Sequence, residues 1–257
     1  MTTEKNEKAG QAKVLPGVIL AAGKGTRMKD ADSPKAAVKI GGRPMAARVV
    51  DAVRGAGFAR VLVVVGHRAD DVRAAVGDHV EYVVQEEQLG TGHAVLQTEE
   101  ALRGYEGPVL VTFADVPLLR SQDLIALLAR HRARNAAATL MTAVVDQPGT
   151  RGRILRNPDG TLQAIVEAKD ATPEQLDIKE INVGAVCFEA PLLFDVLKQV
   201  TNHNAQGQYY LTDAIGILVR SRARVEAVAM ESGHTGIGVD TPDDLARAQR
   251  ILTMNEA

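Results

Sequence analysis

The residues with the clearest chemical potential form a glycine-containing loop near the start of the chain. An apolar run, Val18 to Ala22, leads into Gly23-Lys24-Gly25-Thr26-Arg27, and Pro34-Lys35 follows. Glycine has no Cβ, so backbone N–H groups in such a loop can approach a ligand and cradle phosphate oxygens. Lys24, Arg27 and Lys35 add positive charge for a polyphosphate. The loop therefore predicts a nucleoside triphosphate site, although it matches neither GxxxxGK[ST] nor GxGxxG.

Two glutamines after the third predicted strand are suited to reading a nucleobase. Gln85 and Gln88 carry amides, which can donate and accept hydrogen bonds at one edge. Gly90 and Thr91 lie where the next helix is predicted to begin, so their N–H groups can face a ligand. A polar loop with a Gly-Thr cap is the alternative, and His93 is expected to be a surface residue of that helix.

Two aspartates are candidates for holding Mg²⁺. Asp115 ends the fourth predicted strand within Phe113-Ala114-Asp115-Val116-Pro117, and Asp240 comes just before the last predicted helix. Carboxylate oxygens are ligands that Mg²⁺ prefers, and a strand end beside a polyphosphate is a suitable place for them. The alternative for Asp115 is an ordinary cap or turn aspartate.

Polar groups that can hold a sugar follow in the second half of the chain. Glu167 and Asn182 can hydrogen-bond sugar hydroxyls, and Gly152 and Gly184 allow the backbone to approach a sugar ring. Taken singly, each of these residues also fits the end of an ordinary short strand.

Composition narrows the class of protein. The chain has 257 residues, 46% of them hydrophobic, a net charge of −2, 3% aromatic residues and no Trp, which argues against a nucleic-acid partner. The single cysteine, Cys187, lies in an apolar run and is expected to be a buried structural thiol in a reducing cytoplasm. Residues 1–13 are polar and lack a signal-peptide core, so we expect a disordered tail before a single domain of 14–257 without a membrane span.

Apolar strand-like runs alternate with helical patterns. The predicted strands are Val14–Ala22, Arg60–Val65, Val80–Val84, Pro108–Phe113, Ala137–Val145, Ile154–Arg156, Leu162–Glu167, Ile181–Phe188 and Val225–Met230. The predicted helices are Pro44–Arg54, Asp70–Val76, Gly92–Leu102, Ser121–Asn135, Pro191–Val200, Leu211–Arg220 and Thr241–Leu252. This alternation predicts an α/β fold with a Rossmann-like, mostly parallel mixed sheet flanked by helices, to which the second half adds a smaller mixed sub-sheet over the site. Ligands bind such sheets beyond the carboxyl ends of the strands, where the candidate residues can converge.

In this order and spacing, the motifs resemble those of the N-acetylglucosamine-1-phosphate uridylyltransferases, the pyrophosphorylase half of a bifunctional bacterial enzyme. The resemblance runs from Val18 to about Leu252. Its most specific parts are Gln88 to Ala94, which reads Gln-Leu-Gly-Thr-Gly-His-Ala, and Asn204 to Asp213, which reads Asn-Ala-Gln-Gly-Gln-Tyr-Tyr-Leu-Thr-Asp. The Leu20 to Met28 motif is shared by sugar and cytidylyl nucleotidyltransferases generally.

The resemblance implies a reaction and a role for each motif. A sugar-1-phosphate would react with UTP and Mg²⁺ to give UDP-N-acetylglucosamine, a cell-wall precursor, and pyrophosphate. The implied triphosphate-binding residues are Arg27 and Lys35. Nucleotide-binding residues would be Leu20, Ala21, Ala22, Gly23, Gly25, Gln85, Gln88, Gly90 and Thr91. Sugar-binding residues would be Gly152, Glu167 and Asn182, and the metal ligands would be Asp115 and Asp240.

Several positions depart from the family pattern. Phe113-Ala114 stands for the family's Tyr-Gly, Val183 for a Thr, Asp240 for a metal-binding Asn, and Ala36-Ala37-Val38 for Val-Leu-His. These departures lie around the sugar and the metal. The hexapeptide-repeat β-helix that carries acetyl transfer in the family is not found in the chain, so neither that activity nor the family trimer is expected.

Two other interpretations remain open at this stage. One is a related enzyme, either a molybdopterin guanylyltransferase or a uridylyltransferase for another hexose phosphate. The Gln-Leu-Gly-Thr-Gly-His and Asn-Ala-Gln-Gly segments argue against the guanylyltransferase. The other is a regulatory domain that binds a nucleotide sugar without catalysis. Retention of Arg27, Lys35 and both aspartates argues against it.

Overall fold

A computed structural model describes residues 14–23, 25, 34–230 and 238–256. Its strands are β1 (Pro16–Leu20), β2 (Lys39–Ile40), β3 (Arg43–Pro44), β4 (Arg60–Val65), β5 (Glu81–Val84), β6 (Pro108–Phe113), β7 (Ala138–Val144), β8 (Arg153–Arg156), β9 (Leu162–Val166), β10 (Glu180–Glu189) and β11 (Val225–Ala229). Its helices are α1 (Met45–Gly55), α2 (Ala69–Val76), α3 (Thr91–Leu96), α4 (Ser121–Arg134), α5 (Pro173–Leu176), α6 (Ala190–Leu197), α7 (Leu211–Arg220) and α8 (Pro242–Glu256). Lys24, Arg27 and the tail of residues 1–13 lie outside the described residues.

The central sheet has the strand order β11-β7-β10-β6-β1-β4-β5. Strands β6, β1, β4 and β5 are parallel neighbours, and β11 is parallel to β7. Strand β10 runs antiparallel to both β6 and β7. The predicted α/β class with a mostly parallel, Rossmann-like sheet is therefore confirmed.

The smaller mixed sub-sheet of the second half takes the form of a hairpin. Strands β8 and β9 pair antiparallel, and Arg153 of β8 pairs with Ile181 of β10. The hairpin is thus an extension of the main sheet through β10.

Burial on both faces explains why the strands are continuously apolar. Alternate residues of β1 face opposite cores: Val18 and Leu20 pack with α3, α6 and α7, whereas Ile19 packs with α1, α2 and α4. A sheet covered by helices on both sides needs no polar face, and this is why Val61 to Val65 contains no polar residue. Cys187 of β10 is fully buried in one of these cores, where burial raises the pKa of its thiol.

The largest departure from the predicted helices is the end of α3, and the structure adds short elements; α6 and α8 end at Leu197 and Glu256, where the sequence pattern predicts Val200 and Leu252. Helix α3 ends at Leu96, whereas the sequence pattern predicts a helix to Leu102; beyond it the chain continues in tight turns such as Thr98 N to Val95 O. The buried Thr98 hydroxyl also donates to Val95 O, which competes with regular helical bonding. The β2–β3 hairpin and α5, capped by Thr172, were not predicted.

Helix α8 begins where the sequence pattern places it. The Thr241 hydroxyl accepts a hydrogen bond from the Asp244 backbone N–H, and Asp244 in turn accepts from the Thr241 N–H. This reciprocal cap fixes the entry of α8 directly after Asp240. Within the described ranges, no helix has the length and apolar character needed to cross a membrane.

Two distant loops interlock above the carboxyl edge of the sheet. Tyr209 donates its N–H to Leu89 O at 2.8 Å and accepts from Gly92 N at 2.8 Å, and the Thr91 hydroxyl accepts from Leu211 N at 2.9 Å. Gly90 lies in this contact with φ of +126°, and a Cβ there would lie 2.5 Å from Tyr209 O. Only glycine allows both the positive φ at position 90 and the close approach of the segment that contains Tyr209.

We expect Gly90→Ala to lower the free energy of unfolding by about 3 kcal/mol or more, because strain in the backbone and a clash with Tyr209 add together. Urea unfolding measures the loss. Gly104→Ala is the matched control, since Gly104 also has a positive φ of +74° but has open space around it. This control should cost only about 1–2 kcal/mol. Equal losses for the two variants would mean that the contact with Tyr209 contributes nothing.

Candidate functional site

A cleft of about 660 Å³ opens at the carboxyl edge of the sheet. The parallel strands β6, β1, β4 and β5 all end at this edge, so the residues that follow them converge. Every predicted site residue that the structure describes lines the cleft: Leu20, Ala21, Ala22, Gly23, Gly25, Lys35, Gln85, Gln88, Gly90, Thr91, Asp115, Gly152, Glu167, Asn182 and Asp240. The predicted role of Arg27 falls outside the described residues.

Two short ion pairs in the cleft join Lys35 to two aspartates. The Lys35 ammonium donates to Asp115 Oδ2 at 2.5 Å and to Asp240 Oδ1 at 2.6 Å. The partners are 80 and 205 residues away in sequence. A backbone hydrogen bond from Val239 N to Asp115 O, 2.8 Å long, holds the segment before Asp240 against the end of β6.

The charge state of Lys35 follows from this arrangement. Burial by itself lowers the pKa of the Lys35 ammonium, but the charges and hydrogen bonds of Asp115 and Asp240 outweigh it, so the pKa is raised above its usual value. Lys35 therefore stays protonated at neutral pH and supplies a fixed positive charge between two carboxylates.

The two aspartates form a suitable donor set for a divalent cation. Their carboxylates converge on one point, which the Lys35 ammonium occupies as a stand-in cation. Thr150 donates to the second oxygen of Asp240 at 3.3 Å, and Arg151 donates to Gly238 O at 2.6 Å, so the loop after β7 supports the same segment. Oxygen donors of this kind match the hard cations Mg²⁺ and Ca²⁺.

The glycine loop packs directly on Lys35. Gly25 has φ of +62°, and a Cβ at this position would lie 2.8 Å from Lys35 Cβ. The preceding residues are tied to the sheet, because Ala114 donates to Leu20 O at 3.0 Å and Ala21 donates to Val64 O at 2.8 Å. Lys35 and the loop therefore lie together at the end of β1.

The two predicted base-reading glutamines differ in what their amides contact. Gln85 is 3% exposed, and its Nε2 donates to Gly90 O at 3.1 Å and meets His93 Nδ1 at 2.9 Å. Gln88 instead donates to the backbone oxygens of Gln85, at 3.0 Å, and Glu86. Gln88 thus stabilises its own loop through its NH₂ group, whereas the NH₂ group of Gln85 is held by residues at the start of α3.

His93 contacts a cleft residue, Gln85, which the helical pattern alone does not suggest. It was expected on the surface of α3, but it is half-buried and its ring lies between the amides of Gln85 and Gln97. The reason is the position of α3, whose first turn lies next to Gln85 and directs the His93 ring toward its amide.

The predicted sugar-binding residues also lie together. Asn182 donates its N–H to Gly152 O at 2.9 Å, and its side-chain oxygen accepts from Gly184 N at 3.1 Å. Strand β10 has an irregularity in its pairing with β7 between Asn182 and Val186, and such a bulge redirects side chains next to a site. The ring of Phe113 lies against Gly184 at the cleft wall.

Glu167 provides a buried carboxylate in this part of the cleft. Its Oε1 accepts from the Thr212 hydroxyl at 2.9 Å. Burial raises the pKa of Glu167 above its usual value, the Thr212 hydrogen bond acts against that rise, and nearby Asp213 and Asp170 add to it. A carboxylate in such surroundings is a strong acceptor for hydroxyl groups that replace its lost water.

Further cleft residues have no role assigned from the sequence. Several of the polar ones belong to the segment from Asn202 to Asp213, whose density of amides was the available signal. Gln206 accepts from Lys169 Nζ at 2.6 Å and donates to the Tyr210 hydroxyl at 2.6 Å. The cleft is also lined by Thr150, Arg151, Gln208 and Thr212.

Known proteins resemble this chain in both sequence and fold. The family model of the MobA-like NTP transferase domain matches residues 17–208. The chain is 44% identical over 242 residues to the Bifunctional protein GlmU of Halalkalibacterium halodurans, which is 93% of this chain and 53% of that protein. It is 46% identical over 235 residues to the Bifunctional protein GlmU of an Exiguobacterium species, or 91% of this chain and 52% of the relative.

Solved structures with the same fold are more distant in sequence. A UDP-glucose pyrophosphorylase complexed with UDP-glucose superposes with a TM-score of 0.74 at 18% identity, covering 94% of this chain and 99% of that one. A putative glucose-1-phosphate thymidylyltransferase from Bacillus anthracis superposes with a TM-score of 0.75 at 19% identity, covering 92% of this chain and 94% of that one.

The chain spans about half the length of the curated relatives it matches. The family model covers most of the chain, from Gly17 in β1 to Gln208. With the cleft of the nucleotidyltransferase fold assembled from the same motifs, the chain belongs to the MobA-like NTP transferase domain family.

Proposed function

We propose that this chain transfers UMP from UTP to N-acetylglucosamine-1-phosphate, with Mg²⁺, and releases UDP-N-acetylglucosamine and pyrophosphate. The observation that carries the proposal is the contact of Lys35 with Asp115 and Asp240 beside the glycine loop, in a cleft that also holds Glu167 and Asn182. Phosphate-binding, cation-binding and hydroxyl-binding groups thus line one space. The 44–46% identity to GlmU proteins supports the same assignment.

In the proposed reaction, a phosphate oxygen of the sugar-1-phosphate attacks the α-phosphorus of UTP. A new P–O bond forms, the bond between the α-phosphorus and its bridging oxygen breaks, and pyrophosphate leaves with the electron pair. The nucleophile is already an anion, so no side chain has to remove a proton. The work of the protein is therefore to position two anions and to offset their charge.

Each part of the cleft has a task in this scheme. The backbone of Leu20 to Gly23 and Gly25 would hold the nucleotide, and Lys35 with Arg27 would offset the charge of the triphosphate and of the departing pyrophosphate. Gln85 would contact the base. Glu167, Asn182 and the backbone at Gly152 would hold the sugar, with the buried Glu167 carboxylate accepting from hydroxyl groups.

Asp115 and Asp240 are the residues that would hold Mg²⁺, and their fit rests on the cation already present between them. When bound, the metal supplies positive charge that neutralises the phosphates and helps to orient them. A metal at the two carboxylates would also free the Lys35 ammonium for the phosphates.

Domain organisation and compartment remain parts of the proposal. We propose that residues 14–257 form one domain. The buried Cys187, the single cysteine of the chain, is compatible with a reducing cytoplasm.

Another sugar-1-phosphate is the second candidate substrate. Phe113, Ala114 and Val183, which depart from the family pattern, all line the cleft next to the predicted sugar residues. One protein with the same fold is a UDP-glucose pyrophosphorylase. A change of acceptor would leave the transfer chemistry at Lys35, Asp115 and Asp240 as proposed.

The activity prediction is tested by pyrophosphate release. With UTP, Mg²⁺ and N-acetylglucosamine-1-phosphate, the purified chain should release pyrophosphate. Glucosamine-1-phosphate should react poorly, and glucose-1-phosphate serves as the discriminating alternative. We expect GTP to be a much poorer donor, because a purine leaves polar groups of the base site unpaired.

Three results would change the assignment. A strong preference for glucose-1-phosphate would move it to a different uridylyltransferase, and comparable use of GTP would favour a guanylyltransferase. Folded protein that binds UTP but turns over none of the sugar phosphates would identify a regulatory domain instead of an enzyme.

Removing either carboxylate charge should abolish turnover while leaving the fold intact. We expect Asp115→Asn and Asp240→Ala each to lower kcat about 100-fold or more, the scale typical of a lost transition-state charge contact. UTP binding, measured by calorimetry without metal, should persist. Asp195→Asn on the exposed face of α6 is the control and should leave kcat unchanged. Near-normal kcat in Asp240→Ala would show that Asp240 is not a metal ligand.

A further inference from the structure

The contacts of the Gln85 side-chain amide determine where its nitrogen and its oxygen lie. Its Nε2 lies 3.1 Å from Gly90 O and 2.9 Å from His93 Nδ1. A backbone carbonyl oxygen only accepts hydrogen bonds, so the amide must present its NH₂ group, and not its oxygen, to Gly90. This assignment follows from the contact itself, as amide nitrogen and oxygen are otherwise interchangeable.

The same logic fixes the role of the His93 ring. One hydrogen of the Gln85 NH₂ group goes to Gly90 O, and the other points at His93 Nδ1. An amide nitrogen does not accept hydrogen bonds, so Nδ1 must be the unprotonated, accepting nitrogen of the ring. Since a neutral imidazole has one accepting nitrogen, Nε2 then carries the ring proton, and the Gln97 amide, just beyond the end of α3, lies 3.1 Å from it.

Both N–H donors of the Gln85 amide are therefore used by Gly90 O and His93 Nδ1, and Oε1 is the amide atom left for a ligand. Rotating the amide by 180° would set its oxygen against Gly90 O and against the lone pair of His93 Nδ1. Those are two repulsive contacts in a side chain that is only 3% exposed. A buried amide locked in this way offers an acceptor and cannot offer a donor.

We propose that His93 is a positioning residue that locks Gln85 as a hydrogen-bond acceptor and thereby makes the site prefer uracil to cytosine. The inference rests on the proposed function, in which Gln85 contacts the base of UTP. Uracil carries a donor at its ring N3–H, whereas the same position of cytosine is an acceptor. Against the fixed Oε1, uracil forms a hydrogen bond, and cytosine meets a second lone pair.

Substitutions of nearly equal shape test the inference. His93→Asn places an oxygen acceptor where Nδ1 lies. Leu has almost the same shape as Asn but carries no acceptor, so His93→Leu is the matched variant. His93→Phe keeps the ring and also lacks the acceptor, so it provides a second test if Leu disturbs α3. For each variant, calorimetry with Mg²⁺ gives the Kd of UTP and of CTP, and steady-state kinetics give kcat/KM for both nucleotides.

The wild type and His93→Asn should bind UTP in clear preference to CTP. In His93→Leu and His93→Phe, the ratio of the CTP Kd to the UTP Kd should fall about tenfold or more, because only the contact with Gly90 O then opposes rotation of the amide toward cytosine. A structural role alone would weaken both nucleotides together and leave the ratio unchanged.

An unchanged ratio in His93→Leu and His93→Phe would overturn the inference, as would an equal fall in His93→Asn. A wild type that binds CTP as well as UTP would overturn it too. The binding arm is independent of turnover. Selective binding that depends on His93 in a protein without uridylyl transfer would therefore sink the proposed function and leave the inference standing.

Discussion

The ion pairs of Lys35 with Asp115 and Asp240 are the interaction on which the arrangement of the cleft depends. Two carboxylates that face one point repel each other unless a cation lies between them, and in a partly buried setting that repulsion is weakly screened. The Lys35 ammonium, 2.5 and 2.6 Å from them, supplies that cation. The three residues come from the segment after the glycine loop, the end of β6 and the entry of α8. Satisfying one ammonium thus brings three distant parts of the chain to the same place.

The sheet and the loops make that meeting possible. Parallel β1 and β6 end side by side, so Leu20 to Gly23 and Asp115 emerge next to each other. The antiparallel β10 begins at this same edge, and its irregular pairing directs Asn182 and Gly184 into the cleft. The contact of Gly90 and Gly92 with Tyr209 closes the side of the cleft where Gln85 lies. The cleft is therefore a property of the whole topology and not of one motif.

Local pattern predicts most of the fold. The predicted bounds of β4, β6 and α7 match the structure, because a buried apolar run or an amphipathic turn is visible within a few residues. The predicted end of α3 at Leu102 is wrong, because the observed end depends on the hydrogen bond from the buried Thr98 hydroxyl to Val95 O. The convergence of the described site residues in one cleft agrees with the motif order, although their individual roles remain predictions.

Contacts between distant residues could not be read from the sequence in the same way. Nothing in the helical pattern around His93 reveals that its ring faces Gln85, since that depends on where α3 begins relative to β5. The Gln88 amide bonds its own loop, a detail that composition cannot distinguish from base reading. The pairing of Lys35 with Asp240 joins residues 205 apart, and only the folded sheet brings them together.

The most direct test of this view of the site is the competition between Lys35 and a divalent metal. Mn²⁺ binding without nucleotide can be followed by electron paramagnetic resonance in the wild type, in Lys35→Met and in Lys198→Met, which breaks an exposed ion pair with Glu99 as a control. If the Lys35 ammonium occupies the cation position, Lys35→Met should bind Mn²⁺ about tenfold more tightly or better, and the control should match the wild type. Equal or weaker Mn²⁺ binding in Lys35→Met would contradict the assignment of Asp115 and Asp240 as a cation site that Lys35 fills.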